Sequence, residues 1–445
     1  MAASRWRQWL ARGGTSLGFG LGLTLLAAVV HLLGLTERLE LIVYDWYVEH
    51  FSRIPPSDRI VHIDIDDDSL ERVGSWPWSR AIQADLVLIL RELGAEQIVL
   101  DLMFPEPKGR EVDIPGLDAY ADVEGSVAQM GRLSEENFIF PDDELAGAFH
   151  QAGNVYLSFH YETDEGRKKN RQLAPELSAR MADLLRREFD LDRDRIAARL
   201  QVKPAEVDAI LAGVKRRVAL ERVRAELRDR PDASAEQVHR AISTRPFEKE
   251  SADRADVIFA YLREKGIREL WSRSEPVPPG LKGRLPTARE VVPPLYKFTQ
   301  GARRCGFVAF EPDFDGRTRR VPLLMEWNGA LIEQLGFAAV RDVLGIRVED
   351  LSLAANGDLL IAARGSRPAM RVPLDDRGQM LINWSVHQEK WEQCFRHVPV
   401  TQLLRIHDCR RRIRQNEIGR QILLGELVRI VGGEDGFQLY ARQVN

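Results

Sequence analysis

Cysteine is scarce in this chain. Its 445 residues hold three, Cys305, Cys394 and Cys409. No two stand at C-x-x-C spacing, so no zinc or thioredoxin-like motif is written into the sequence. So few thiols fit a reduced compartment or a large exported domain that needs no disulfides; a Cys394–Cys409 bridge stays open. An excess of one charge is also missing. Lys and Arg number 63 against 67 Asp and Glu, a net charge of −4, which argues against a dedicated nucleic-acid binder. The nine histidines have no motif around them that would join a Ser or Asp into a triad, so no catalytic residue, metal or cofactor is expected. After Leu35 there is no second apolar run of membrane-spanning length. "LVLILRELGAEQIVLDLMF" (Leu86 to Phe104) is broken by charges and by Gly94, and reads as helix, turn and strand.

One long apolar run is present. Gly13 to Leu35, "GGTSLGFGLGLTLLAAVVHLLGL", holds no Asp, Glu, Lys or Arg, and about 20 such residues cross a bilayer. Arg5, Arg7 and Arg12 precede it, and Glu37, Arg38 and Glu40 follow. The positive-inside rule then puts residues 1–12 in the cytoplasm and the rest outside. A cleaved signal peptide is the rival, but "HLLGLTERLE" offers no small-x-small site. The expectation is an uncleaved anchor over 13–35 in a cell inner membrane, with everything beyond it periplasmic or extracellular. Gly14, Gly18 and Gly22 fall at G-x-x-x-G spacing, a dimer face, and a homodimer is expected.

The stretch Ile60 to Arg80, "IVHIDIDDDSLERVGSWPWSR", carries the densest acidic cluster. Ile60 to Ile65 reads as a strand. Asp68 with Glu71 fits a capping box for a short helix ending near Gly74. Ser79 can cap a second helix, with Ile82, Leu86, Ile89, Leu90 and Leu93 on its buried face and Gly94 at its end. Ile98 to Leu102 is the next strand. Read as a βαβ unit, this places Asp64, Asp66 and Asp101 near the carboxyl ends of adjacent strands, the edge where open α/β sheets bind ligands. Those three, with Trp78 and Arg80, are the candidate ligand contacts. His62 alternates with Val61 and Ile63 and reads as structural, and Trp76 and Trp78 read as packing around Pro77.

Two functional readings compete for this edge. A magnesium-dependent haloacid-dehalogenase-like phosphohydrolase would use a strand ending in D-x-D, matched by Asp64 and Asp66. Asp68 stands where that pattern wants Thr, and the later acidic pairs, Asp142 with Asp143 and Asp375 with Asp376, sit beside turn or cap signals. The longer string resembles the type-two CHASE domain, an extracellular sensor domain of bacterial membrane receptors. Its I-D-D-x-S-L, G-x-W-P-W-x-R, L-x-x-x-G-A and D-x-x-F-x-E-P segments align with Ile65 to Leu70, Gly74 to Arg80, Leu90 to Ala95 and Asp101 to Pro107. "LELIVYDWYVEHF" (Leu39 to Phe51) is similar to the family's segment outside its first membrane helix.

The similarity resumes at "CGFVAFEPDFDGRTRRVPLLM" (Cys305 to Met325), "MRVPLDDRGQMLINW" (Met370 to Trp384) and "FRHVPVTQLL" (Phe395 to Leu404), where Gln402 replaces the family's Asp. Asp313, Asp315 and Gly316 start like a calcium loop, but the third acid is missing and Leu324 stands where the closing Glu belongs, so a tight polar turn is expected. Ile332 to Leu344 suits a helix with Leu335, Ala339 and Val340 on one side.

Between the two similar parts, 163–290 is rich in Arg, Glu, Asp and Ala and reads as a helical insertion. Helices are expected over Leu173 to Glu188, Pro204 to Arg228, Ala235 to Ile242 and Ala255 to Trp271, with Pro204 in a first turn and Ser234 as an N-cap. Arg193 to Arg217 looks like a helix-turn-helix with a basic tail; the alternative is two amphipathic helices packed through Ile196, Leu200, Val207, Ile210 and Leu211, which placement outside the membrane favours. After Leu404 the family continues into further membrane helices and a cyclase or kinase. The stretch 405–445 instead suggests an amphipathic segment through Leu404, Ile413, Ile422, Leu423 and Leu427. Either the product is truncated or it acts through a partner.

The expected architecture is therefore α/β: a mixed sheet with flanking helices, formed by 36–162 and 291–404, a long helical insertion, and one N-terminal transmembrane helix. The implied function is reception of an unidentified extracytoplasmic ligand or protein signal without catalysis, nucleic acid being no partner; a membrane-anchored scaffold is the remaining alternative.

Overall fold

The computed structural model describes residues 19–26, 28–29, 35–51, 57–109, 111–113, 120–122, 138–162, 175–247, 252–308, 312–313, 315–384 and 395–415. The chain divides into two compact units, Met1–Asp64 with Ile382–Pro399, and Ile65–Leu381 with Val400–Asn445.

The first unit contains helix α1 (Leu35–Phe51) and strand β1 (Val61–Asp64). β1 runs parallel to Arg396–Pro399, in register from Val61 opposite Arg396 to Asp64 opposite Pro399. The Tyr44 hydroxyl donates to the Ile382 carbonyl. Among the described residues no helix is long and apolar enough to cross a membrane. Of the expected span 13–35, residues 13–18, 27 and 30–34 lie outside the described residues, while 19–26 and 28–29 are helical and exposed.

In the second unit, α2 (Asp67–Val73) begins two residues earlier than expected. Its cap is Asp66, whose carboxylate accepts from the Ser69 N–H at 3.0 Å. Asp68 already lies within the first turn; a cap needs extended backbone, which Asp66 has with φ −99° and ψ 173°. Ser79 caps α3 (Arg80–Glu92) as expected, accepting from the Ala81 N–H at 3.1 Å. Ile82 and Ile89 are buried on its inner face together with Val87, but Leu93 is 65% exposed, because the helix stops at Glu92 and Leu93 serves as its cap residue.

The expected βαβ unit is not the one formed. β2 (Ile98–Leu100) pairs in parallel with β3 (Val155–Glu162), Ile98 opposite Val155, so β1 and β2 share no ladder. The crossover helix is α4 (Pro141–Ala152). Short strands carry no local mark of their partner, and β1 finds its own some 330 residues away. β3 is the central strand: it also pairs in parallel with Arg304–Phe307 and, near its end, antiparallel with Glu290–Val292. Val155, Leu157 and Phe159 are buried along it. The core between sheet and helices contains Val87, Ile98, Phe104, Leu145, Phe149, Leu157 and Phe298. Smaller antiparallel sheets follow, Glu275–Pro276 with Leu324–Trp327 and Ala330–Glu333, and Leu351–Leu353 with Leu359–Ile361 and Met370–Val372. The architecture is thus mixed α/β with several small sheets. Ile332, expected in a helix, belongs to one of these strands; the helix is Leu335–Leu344, begun by the Gln334 side chain accepting from Phe337 N–H, and Val340 on it is exposed.

Helices α5 (Pro175–Arg187), α6 (Arg193–Leu200), α7 (Pro204–Asp229), α8 (Ala235–Ile242) and α9 (Ala252–Arg273) fill the charged middle. They have a core of their own, with Met181, Leu185, Ile196, Val207, Val218, Val223, Val238 and Val257. The pair resembling a helix-turn-helix packs inward: Ile196, Leu200 and Val207 are buried and Ile210 and Leu211 lie against them. Ser234 and Gln237 form a reciprocal capping box on α8.

Helix α10 (Thr401–Gln415) docks on α3 through a buried pair, His407 Nδ1 to Asp85 at 2.9 Å, and buries Leu404. Residues expected to continue this amphipathic face beyond 415 lie outside the described residues. Cys305 and Cys409 are free thiols, and burial pushes the Cys305 thiol up to about 12; Cys394 is not among the described residues.

One contact leaves no room for a side chain. A Cβ on Gly306, in the strand beside β3, would stand 2.4 Å from the Leu335 Cα and 2.7 Å from its nitrogen. Backbone cannot yield as a side-chain tip can, so Gly306→Ala should cost at least about 1–3 kcal/mol. Gly213→Ala, in open space within α7, should add up to about 1 kcal/mol. Thermal unfolding of the two variants should shift in opposite directions; a Gly306→Ala midpoint equal to the parent would refute the close approach.

Candidate functional site

The five residues singled out from the sequence fall in both units: Asp64 in the first, and Asp66, Trp78, Arg80 and Asp101 in the second. Asp64 belongs to the first unit, where it accepts from His397 Nδ1 at 2.8 Å. His397 in turn stacks on His62, ring centroids 4.9 Å apart and planes 12° from parallel, with Phe395 edge-on to His62. His62 is therefore half of a stacked pair on β1 and its neighbour strand. Asp66 is occupied as the cap of α2. Asp101 is exposed just past β2.

Trp78 and Arg80 face inward. Trp78 is 3% exposed, and its indole N–H donates to the Gly74 carbonyl at 3.0 Å. It meets Trp76 edge to face at 5.5 Å, across a cis Trp76–Pro77 bond. Arg80 is 5% exposed. Its guanidinium donates to the Asp142 carboxylate and to the Glu106 carbonyl. It also lies over two aromatic rings, 5.6 Å from the Phe104 centroid and 5.2 Å from that of Phe298. Asp142 sits in the first turn of α4, where the helix dipole favours a carboxylate, and its second oxygen accepts from Lys108 N–H at 3.0 Å. A buried cation is thus satisfied on every side by protein groups.

The other acidic candidates are likewise engaged locally. Asp143 pairs with Lys297. Asp375 accepts from the N–H groups of Arg377 and Gln379 in a tight turn. Asp313 and Asp315 both receive the buried Arg319, at 2.9 and 2.7 Å, and the Arg319 hydrogen bonds hold the Asp315 carboxyl well below the usual carboxylate range. That loop is an arginine-filled turn. Among the described residues no group of three or more His, Cys, Asp or Glu is placed to hold a metal ion.

A different concavity is present in the second unit. A cleft of about 590 Å³ opens between α7, α9 and the sheet residues Arg289 to Val291, Trp327 and Asn328. Five arginines line it, Arg224, Arg228, Arg263, Arg268 and Arg289, against two carboxylates, Glu264 and Glu290. Glu264 is buried and shared, receiving Arg224 Nε at 3.0 Å and Arg268 Nε at 3.1 Å. Arg263 is pulled below its usual pKa by burial, which outweighs the nearby charges of Glu290 and Glu162; its Nε is enclosed and bonded to no protein acceptor. Trp271, 53% exposed, stands at the rim, and Leu220, Ile267, Val291 and the buried Trp327 form the apolar wall.

None of the cleft residues was singled out by the sequence. Each arginine there reads as one more charge on a solvated helix face. The legible signal was the spacing Arg263, Ile267, Trp271 on α9 facing Arg224 and Arg228 on α7, four apart in each helix.

A model of the CHASE2 domain matches residues 22–431. The match begins before and ends beyond the segments that carry the motif resemblance, Leu39 to about Glu162 and about Cys305 to Leu404. No curated protein and no solved structure matches the chain.

The Arg80 constellation generates a stability prediction. Arg80→Met should leave the Asp142 carboxylate without its cation and cost about 3–5 kcal/mol, as for other buried pairs that lose one partner. Asp142→Asn, which keeps a hydrogen-bond acceptor, should cost less, and the double variant should fall short of the sum. A double-mutant cycle by urea unfolding measures this; additive costs would show that the two groups do not interact.

Proposed function

The chain belongs to the CHASE2 domain family, and from that membership we propose that it is the signal-receiving region of a bacterial membrane receptor, working outside the cytoplasm and held by one N-terminal helix. CHASE2 is a sensory domain and is not itself catalytic. The single observation that carries the reading is the family match over 22–431. The arrangement of the signature string agrees with a non-catalytic role: Asp66, Trp78 and Arg80 are spent on a cap, a core contact and a buried ion pair, and only Asp101 among that unit's four candidates stands exposed.

The membrane part of the proposal rests on Gly13 to Leu35 and on the three arginines before it. Three arginines before the apolar run against one, Arg38, flanked by Glu37 and Glu40 after it favour the orientation with residues 1–12 in the cytoplasm. Signal would then pass to a cyclase or kinase output, in cis or through a membrane partner, with self-association through Gly14, Gly18 and Gly22.

Fusions test the topology. Alkaline phosphatase joined after Leu404 should be active in a bacterial host, and β-galactosidase joined at the same point inactive. Replacing Arg5, Arg7 and Arg12 by Glu should lower the phosphatase signal severalfold. An active β-galactosidase fusion with a silent phosphatase would reject the placement outside the cytoplasm.

A further inference from the structure

We propose that the arginine-lined cleft between α7, α9 and the sheet is a binding site for a small organic oxyanion, a dicarboxylate or a phosphomonoester, gripped by guanidinium groups and backed by the Trp271 ring.

The volume, about 590 Å³, falls in the range of about 300–1,000 Å³ that small-molecule sites occupy. The charge of the lining opposes that of the chain. The protein as a whole carries −4, yet five arginines meet two glutamates here. Glu264 is already divided between Arg224 and Arg268. Each of those guanidiniums bonds it through Nε and keeps further N–H donors to offer. Glu290 is then the remaining carboxylate of the lining, beside Arg228 and Arg263. Arginine presents a planar fork that matches carboxylate and phosphate oxygens two at a time.

Surface arginines alone would be content with water. What distinguishes this group is the wall behind it. Trp327 and Val291 are buried, and Ile267 and Leu220 extend the apolar lining. Charge interactions strengthen where water is displaced by such a wall. Arg263 feels this most, since burial already disfavours its charged form and its Nε has no protein acceptor. An entering oxyanion would add a negative charge beside this guanidinium and so favour its charged form. The exposed Trp271 adds a flat face for the ligand's carbon skeleton. A long polyanion fits less well, because the net negative charge of the chain would repel the part extending beyond the cleft.

The inference rests on the receiver reading for what binding would signal, not for the binding itself: a failed titration leaves the topology fusions standing, and inverted fusions leave the titration standing. The test uses the full chain in detergent micelles, titrated with succinate and with phenyl phosphate at constant ionic strength, read by calorimetry and by thermal unfolding. Expected is saturable binding of at least one probe, with a midpoint that keeps rising with the logarithm of its concentration; which probe saturates identifies the carboxylate or the phosphate class. Arg228→Gln should weaken that binding tenfold or more, and Arg263→Gln should abolish it. Arg228 is exposed, so its variant decides the matter if Arg263→Gln does not fold. Arg240→Gln, an exposed arginine paired with Glu236 on α8, should bind as the parent does. The proposal is overturned if neither probe saturates, if sodium chloride at matched ionic strength gives the same midpoint shift, or if Arg228→Gln binds as tightly as Arg240→Gln.

Discussion

The Arg80 guanidinium is the constraint on which the second unit turns. It enters from the first turn of α3 and reaches the start of α4 through Asp142, the segment after β2 through the Glu106 carbonyl, and two core rings through its faces. A cation so deeply buried is tolerated only with its donors met. The positions of α3, α4 and the Phe104–Phe298 contact are therefore fixed together. Around that point the aromatic set Phe104, Phe149 and Phe298 packs edge to face, with centroids 5.5–6.3 Å apart. Gly301 lets its helix approach α4 to within 2.9–3.1 Å of where a Cβ would be. The Trp-Pro-Trp-Ser-Arg string thus reads as one device: a buried indole, a cap and an ion pair in five residues.

Helices were legible in the sequence because their signals are local. Pro204 opens α7, Ser234 caps α8 and Ser79 caps α3 where spacing and cap chemistry place them. The errors at helix ends are of one kind. Asp68 was preferred to Asp66 because only Asp68 has a Glu three residues on, Glu71, yet the backbone dihedrals decide which residue is still extended, and that is Asp66. Strand partnership was not legible. Nothing in Val61 to Asp64 points to Arg396 to Pro399, and the nearest strand in sequence was the natural but mistaken choice. That mistake gathered Asp64, Asp66 and Asp101 into a common edge. The family-like string was recognised correctly; of the residues it suggested as ligand contacts, Asp66 caps α2, Trp78 is buried and Arg80 pairs with Asp142.

The cleft was invisible for the opposite reason. Its residues come from the inserted helices and from the sheet segment that follows them, between 220 and 328. Arginine on a helix is unremarkable in sequence, and only tertiary packing shows four of them, joined by Arg289 beside the sheet, lining one space. The inserted helices can do this because they pack on one another around a core of their own. That valine- and leucine-rich core, from Met181 to Ala260, holds α7 against α9, while Ile267 and Leu270 of α9 pack on the sheet, so the two arginine-bearing faces meet at a set spacing.

That construction has a consequence for signalling. Glu290 and Val291, on the floor of the cleft, belong to the strand that pairs with β3 at Tyr161 and Glu162. β3 is in turn the strand against which β2 and Arg304–Phe307 align. A ligand gripped by α7 and α9 on one side and seated on this strand on the other would tie the insertion to the central sheet. It could bias the domain only by the difference in its affinity for the arrangements open to it. If the cleft binds such an anion, the inserted helices that look like decoration in the sequence would be the side of the site that holds it against the sheet.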